Sequence, residues 1–335
     1  MASNDWEQLN TEHKKLGVYV HFEYNSNQRF IPNNRMTCSP IIFNKINKKN
    51  KLIIYIRSIF YGYDIVTNKW NKYNSFLSNG SMSSHRNSFA FYKKKIYMYN
   101  RRGILTIINL HQPKITHLTK LFQARNVKSI VIEGCLNLFA ITRDNGEFIH
   151  GIFYQSEKKF QIMSRYDGIM MNSFSIEYIK HKSTVLLIPG SRGKSPLFMY
   201  DLFTHQYTKL KSFISFNMRT PTSCITKDYL YIFIVGDYHS NTIDIYETSS
   251  GKLTESVFQT PLDTDYHAII VDLVDQNLQI IEKYVNKNSE DFVPPEIFSV
   301  IAEYYSNEYL FILSQDSEVF YKIEVQKLIQ NLSRT

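Results

Sequence analysis

A hydrophobic residue followed seven positions later by another, across a polar turn, occurs five times in this chain: Tyr63/Trp70, Ile108/Ile115, Phe153/Phe160, Tyr200/Tyr207 and Tyr246/Leu253. The first members lie 45, 45, 47 and 46 residues apart. Self-similarity at a period of about 40–50 residues marks a propeller or a solenoid and outranks any local assignment. Each short stretch, such as "YDIVTNKW" from Tyr63 to Trp70, predicts a hairpin whose two ends pair across the turn. Ahead of each hairpin stands another strand–turn–strand unit, for example "SFAFYKKKIYMYN", "SIVIEGCLNLFAITRD" and "SFSIEYIKHKSTVLLIPG". Two hairpins per period make four antiparallel strands, which is one propeller blade. The long 3.6-period stretches that a helical solenoid needs are absent from these repeats.

Composition agrees with an all-β reading. The chain has 335 residues, 43% hydrophobic and 21% charged, which excludes disorder throughout. Aromatic residues reach 15%, and such side chains suit pleated, half-buried surfaces. Membrane insertion is not expected, because no run approaches the ~20 apolar residues that cross a bilayer. "MASNDWEQLNTEHKKLGVYV" has no apolar segment behind a basic start, so no secretory signal is expected. Three cysteines, Cys38, Cys135 and Cys224, without CxxC spacing, suggest neither a disulfide framework nor a zinc site and lead to a cytoplasmic expectation. The net charge of +9 raises nucleic-acid binding, but "NKINKKNK", "KKK" and "RR" are short clusters between apolar runs. Solvated turns account for them, and nucleic acid is not the expected partner.

The first repeat carries more than a period. "IPNNRMTCSPIIFNKINKKNKLIIYIRSIFYGYDIVTNKW", Ile31 to Trp70, resembles a Kelch repeat in its Pro-x-x-Arg lead-in, its two inner strands and its Tyr-Asp strand ahead of a turn and Trp. "LFMYDLFTHQY", Leu197 to Tyr207, repeats the Tyr-Asp element. The Gly-Gly pair that ends the second strand in that family is missing; single glycines, Gly190 and Gly236, remain. The resemblance implies a degenerate Kelch-like propeller of the galactose oxidase/Kelch superfamily. Galactose oxidase uses copper with Tyr and His, and no residue of this chain is assigned to those roles. "GVYVHFEYNSNQRF", Gly17 to Phe30, reads as the outer hairpin of a blade completed by C-terminal strands, which would close the ring and remove free sheet edges. The expectation is therefore six four-stranded blades, with seven as the alternative if Glu308–Val325 forms its own hairpin. Residues 1–16 form an N-terminal extension and 17–330 a single propeller domain. Ile297, Val300, Ile301 and Tyr304 keep helical spacing behind Pro294-Pro295 and predict one helical insertion at about 286–307 in the last blade. "VPPEIFSVIAEYY" is similar to the opening helix of F-box modules; a helix packed on the propeller is the preferred reading.

Chemistry is sparse. "PGSRGKS" lacks the phosphate-loop spacing, since the position five before Gly193 is Ile188. The ten histidines show no His-x-x-x-His or His-Glu-x-x-His pattern, so no metal or other cofactor is expected. Asp144 and Glu147 flank Asn145-Gly146, a turn. Arginines, however, precede the first strand of several blades: Arg35, Arg86, Arg125 and Arg219. Arg35, Arg125 and Arg219 stand 28, 28 and 27 residues before their blade's outer-hairpin anchor. Equivalent positions of a propeller share a face, where guanidiniums can grip carboxylates bidentately. The expected function is a protein-interaction module, in monomeric form, holding a protein partner, such as an acidic segment, on one loop face rather than an enzyme. The alternatives are a propeller-class enzyme, carbohydrate-active or oxidoreductase-like, and a substrate adaptor for a ubiquitin ligase.

Overall fold

In a computed structural model, all five anchor pairs face one another across antiparallel ladders: Tyr63↔Trp70, Ile108↔Ile115, Phe153↔Phe160, Tyr200↔Tyr207 and Tyr246↔Leu253. The structure describes residues 7–8, 42–46, 49–56, 59–64, 69–72, 88–92, 95–99, 103–109, 114–154, 156–157, 159–167, 173–190, 194–214, 221–235, 242–260, 266–274, 306–314 and 320–332. The apolar pairs sit where each period's third strand turns into its fourth, so one local pattern fixes the register of every outer hairpin.

The first sheet holds β2 (Ile42–Ile46), β3 (Lys49–Ile56), β4 (Ile59–Asp64) and β5 (Lys69–Lys72), with β1 (Glu7–Gln8) reserved for another sheet. The second holds β6 (Ser88–Tyr92), β7 (Lys95–Tyr99), β8 (Ile104–Asn109) and β9 (Lys114–Lys120). The third is β10 (Ala124–Ile132), β11 (Cys135–Thr142), β12 (Phe148–Tyr154) and β13 (Lys159–Tyr166). The fourth is β14 (Ser173–Ile179), β15 (Thr184–Gly190), β16 (Ser195–Asp201) and β17 (Tyr207–Ile214). The fifth is β18 (Thr222–Ile225), β19 (Tyr231–Val235), β20 (Thr242–Glu247) and β21 (Leu253–Gln259). The last joins β22 (Tyr266–Val274), β23 (Ser306–Ser314) and β24 (Phe320–Glu324) to β1, in the order β22-β23-β24-β1. The first strands β2, β6, β10, β14, β18 and β22 neighbour one another in a closed cycle.

Each hydrophobic cluster spans two sheets, which is why the middle strands are buried on both faces. Leu186, Leu187 and Ile188 of β15 are wholly buried because the third sheet covers one side of the fourth and the fifth covers the other. Outer strand β13, by contrast, is largely exposed. Turns close along two opposite faces. The first-to-second and third-to-fourth turns meet on one face, where Leu202 donates its N–H to the Ser183 carbonyl and Thr248 donates to that of Leu230. On the other face, among the described residues, the Leu121 N–H reaches the Gly103 carbonyl and that of Arg143 reaches Gln123.

The expected six- or seven-bladed Kelch-like ring with an inserted helix needs correction. Packed side chains are described chiefly through four consecutive four-stranded blades, β6 to β21; β2–β5 is described by its strand pairing, as are most residues of the sheet of β22, β23, β24 and β1. No separate seventh hairpin forms from Glu308–Val325, because β23 pairs with β22 along nine residues and with β24 on its other side. Among the described residues the N-terminal contribution is one strand, Glu7 and Gln8 opposite Lys322 and Tyr321; the hairpin read at Gly17–Phe30 lies outside the described residues. The sole α-helix among the described residues is α1 (Val325–Leu332), which follows β24 directly. Its Val325, Leu328, Ile329 and Leu332 keep i, i+3, i+4, i+7 spacing and pack onto the cluster containing Phe233, Val257 and Phe258. The helix predicted at 286–307 lies outside the described residues, as does Val293–Tyr305 within it.

Candidate functional site

The innermost strands carry polar side chains at the seams between sheets. Ser129 of β10 bonds Ser88 of β6 twice, Oγ to Oγ at 2.8 Å and backbone N–H to Oγ at 2.6 Å. On the far side of the next seam, Ser223 of β18 donates to Glu177 Oε1 of β14 at 2.7 Å. That fixes its proton, so Ser175, 2.7 Å away, donates to Ser223 in turn. Lys128 of β10 lies on the facing side and supplies the positive charge that Glu177 senses. Burial pushes the Glu177 carboxyl up to about 7, against the Ser223 hydrogen bond and the Lys128 charge. Burial likewise lowers the Lys128 ammonium, with Glu177 opposing. Glu177 is thus a buried acid poised between protonation states at neutral pH.

A second polar cluster lies between the third and fourth sheets, built from β11, β12, β13 and β16. Asn137 Nδ2 donates to the Cys135 carbonyl at 3.1 Å, so its Oδ1 faces His150 Nε2 at 2.8 Å and accepts a proton from it. Burial, with His205 nearby, lowers His150 to about 3. Neutral His150 therefore presents a bare Nδ1, which accepts the Tyr200 hydroxyl at 2.7 Å. With its proton committed, the Tyr200 oxygen accepts from Ser164 at 3.1 Å and from His205 Nδ1 at 3.0 Å. Burial pushes Tyr200 up to about 12, against the Ser164 hydrogen bond. Phe139 stacks on His150 with ring centroids 4.5 Å apart. Every member of this hydrogen-bonded series has a partner and His150 has no exposed surface, so the cluster locks two blades together.

Of the four arginines expected to form a ring, Arg125 alone is described. It is exposed at the start of β10, at a bulge where Ala124 pairs with Thr142 and Asn126 with Ile141. The bulge drops Arg125 out of the ladder at the mouth of an innermost strand. Arg35, Arg86 and Arg219 lie outside the described residues. On the same face Arg143 Nη1 donates to Gln123 Oε1 at 3.4 Å and Arg165 pairs with Glu147 at 2.8 Å. Asp144, in the same turn as Glu147, is exposed. Sequence reading missed both polar clusters. A usable signal existed: Ser175/Ser223, Lys128/Glu177 and His150/Tyr200 each stand about one repeat apart, the separation that puts residues level on neighbouring blades.

No known family matches the chain, and no curated protein does. Among solved structures it is similar to the extracellular domain of a one component system from B. thetaiotaomicron, with 14% identity over 90% of this chain and 33% of that one and a TM-score of 0.46. It is also similar to a chain of a mitotic checkpoint complex, with 10% identity over 71% of each chain and a TM-score of 0.47. PorZ, a surface component of the type-IX secretion system of Porphyromonas gingivalis, matches with 14% identity over 70% of this chain and 28% of that one, with a TM-score of 0.45. The chain spans about a third of the B. thetaiotaomicron chain. Kelch and galactose-oxidase membership is corrected by the lack of any family match. The Tyr-Asp element has a local cause: Asp201 Oδ1 accepts the backbone N–H groups of Phe203 and Thr204 at 2.8 Å each, a turn device open to any hairpin. The cytoplasmic placement does not stand, because unpaired cysteines do not fix a compartment; the similar B. thetaiotaomicron chains are, for their part, extracellular domains. Among the described residues no helix is long and apolar enough to cross a membrane. What stands is an all-β, propeller-like fold.

Proposed function

We propose that the chain is an interaction scaffold that holds a protein partner on the face where its innermost strands begin. Arg125 carries this reading: it is an exposed guanidinium lifted out of the ladder by a bulge, at a position that the repeat assigns to Arg35 and Arg219 as well. Arg86 stands just ahead of β6. Guanidiniums around one face suit the carboxylates of an acidic segment, which Arg grips in pairs of hydrogen bonds. A propeller supplies the rigid base for such recognition, with variable connections on its faces. The test is replacement of Arg35, Arg125 and Arg219 together by Glu, followed by affinity capture and mass spectrometry against the native chain. Loss of the captured partner with an unchanged circular dichroism spectrum is expected; unchanged capture refutes the assignment of this face.

A further inference from the structure

The first strands close a cycle around one axis, and β10, β14 and β18 form one arc of its wall. Side chains along β10 alternate between its neighbours. Val127 packs on the second sheet and Ser129 bonds Ser88 there, whereas Ile130 and Ile132 pack on the fourth. Lys128 belongs to the latter set and reaches toward β14. The middle of the strand, Lys128 to Val131, is half-exposed although sheets flank it on both sides, and so is Ser223 of β18. This arc of the wall is therefore open to solvent.

Lys128 and Glu177 face that opening with bonding capacity to spare. Among the described residues the Lys128 ammonium has no hydrogen bond and no ion pair. Glu177 Oε1 accepts from Ser223, which leaves Oε2 unbonded among those residues. Each group shifts the other's titration without the pair closing, so the gap between them exceeds the roughly 4 Å of an ion pair. A free ammonium ordinarily suggests an anion site. Here the Ser223 and Ser175 protons are committed toward Glu177, so Lys128 is opposed by a carboxyl and unaided by those hydroxyls. Burial lowers its ammonium and so favours the free amine, the form that attacks carbonyl carbon. The neighbouring carboxyl is held near neutrality, where a group both gives and takes protons readily.

We propose that Lys128 forms an imine with a small uncharged aldehyde or ketone entering along the axis, and that Glu177 moves the protons. The amine lone pair attacks the carbonyl carbon while the carbonyl oxygen takes the Glu177 proton. The nitrogen then returns a proton to the carboxylate, which leaves a neutral carbinolamine. A second proton from Glu177 lets the hydroxyl depart as water, the nitrogen lone pair closes the C=N bond, and its remaining proton restores Glu177. One amine and one carbonyl thus become one imine and one water, with no oxidant or reductant. An oxo acid is disfavoured, because its carboxylate meets that of Glu177. The inference uses the axial wall and not Arg125, so it stands apart from the partner-holding face.

The test exposes the full chain briefly to acetaldehyde from about pH 6 to about pH 10, fixes any imine by borohydride reduction and maps the labelled lysines by mass spectrometry. Near pH 6 Lys128 is expected to label at least about tenfold faster than the exposed Lys159, Lys180 and Lys252, an advantage that fades toward about pH 10, where ordinary lysine amines are free as well. Glu177→Gln separates proton transfer from charge. Glu177 favours the protonated form of Lys128, so by charge alone Gln frees more amine and speeds labelling. Proton transfer through Glu177 instead predicts a slowing of at least about tenfold. If that variant does not fold, the pH profile of the native chain carries the comparison. Labelling of Lys128 no faster than that of the exposed lysines overturns the inference. So does a Glu177→Gln chain labelled as fast as the native one, or a preference for Lys128 that is greater with glyoxylate than with acetaldehyde.

Discussion

Replacing Glu177 by Gln tests whether the seam between innermost strands stores a buried proton. The carboxyl is raised from its ordinary value of 4.5 to about 7, first of all by burial. A folded-state value above the unfolded one means that the native chain holds the proton more tightly. The associated stability is complete below about pH 4.5 and is lost as pH rises through about 7. At 1.36 kcal/mol per pKa unit, the loss across that window is about 3 kcal/mol. Gln keeps the shape and one acceptor for Ser223 but does not titrate. The variant should therefore gain about 3 kcal/mol relative to the native chain between about pH 4.5 and pH 8. Urea midpoints measured across that range, with the slope of each transition checked for constancy, read the difference directly. A native-to-variant difference that stays flat from acid to alkaline pH would show that Glu177 is ionised throughout, with Lys128 fully compensating its burial.

Tyr200→Phe removes the hub of the interblade cluster and strands the bare Nδ1 of His150, which should cost about 1–3 kcal/mol in denaturant unfolding; a variant as stable as the native chain would mean that water replaces the hydroxyl. Gly151→Ala places a Cβ 2.2 Å from Phe160 Cζ, and the displaced ring should lower stability by about 1–3 kcal/mol; an unchanged midpoint would show that Phe160 turns away freely. Leu186→Ala opens a cavity between the fourth and fifth sheets and should cost about 2–5 kcal/mol, read by the same midpoints. Asp244, pushed up to about 6 by burial, should make Asp244→Asn gain on the native chain as pH rises through about 6, because the native carboxylate loses its proton there.

Residues that act within one hairpin were legible from sequence. Tyr63 and Trp70, or Phe153 and Phe160, announce their pairing because an apolar pair around a short polar turn has few other ways to bury itself. Packing between blades was not legible, because it depends on which side of each sheet meets its neighbour. Ser175 and Glu177 point to the fifth sheet while Phe174 and Ile176, which alternate with them, point to the third, and a slip of one residue would exchange the two sets. β1 contributes two residues to the last sheet, too few to carry any periodicity, so its pairing with β24 was not legible. Of the arginines that repetition marks, Arg125 alone is among the described residues, and repetition gives its place on the strand without giving what it meets.

The two-residue strand β1 has a kinetic meaning. Glu7 and Gln8 are synthesised long before their partners Lys322 and Tyr321, which lie more than three hundred residues downstream. Such long-range closure is slow to form and easily undone. Amide hydrogens along this short splice should exchange with solvent long before those of β11 or β15. The circle is thus a bracelet whose clasp fastens last and loosens first, while every other link stays shut.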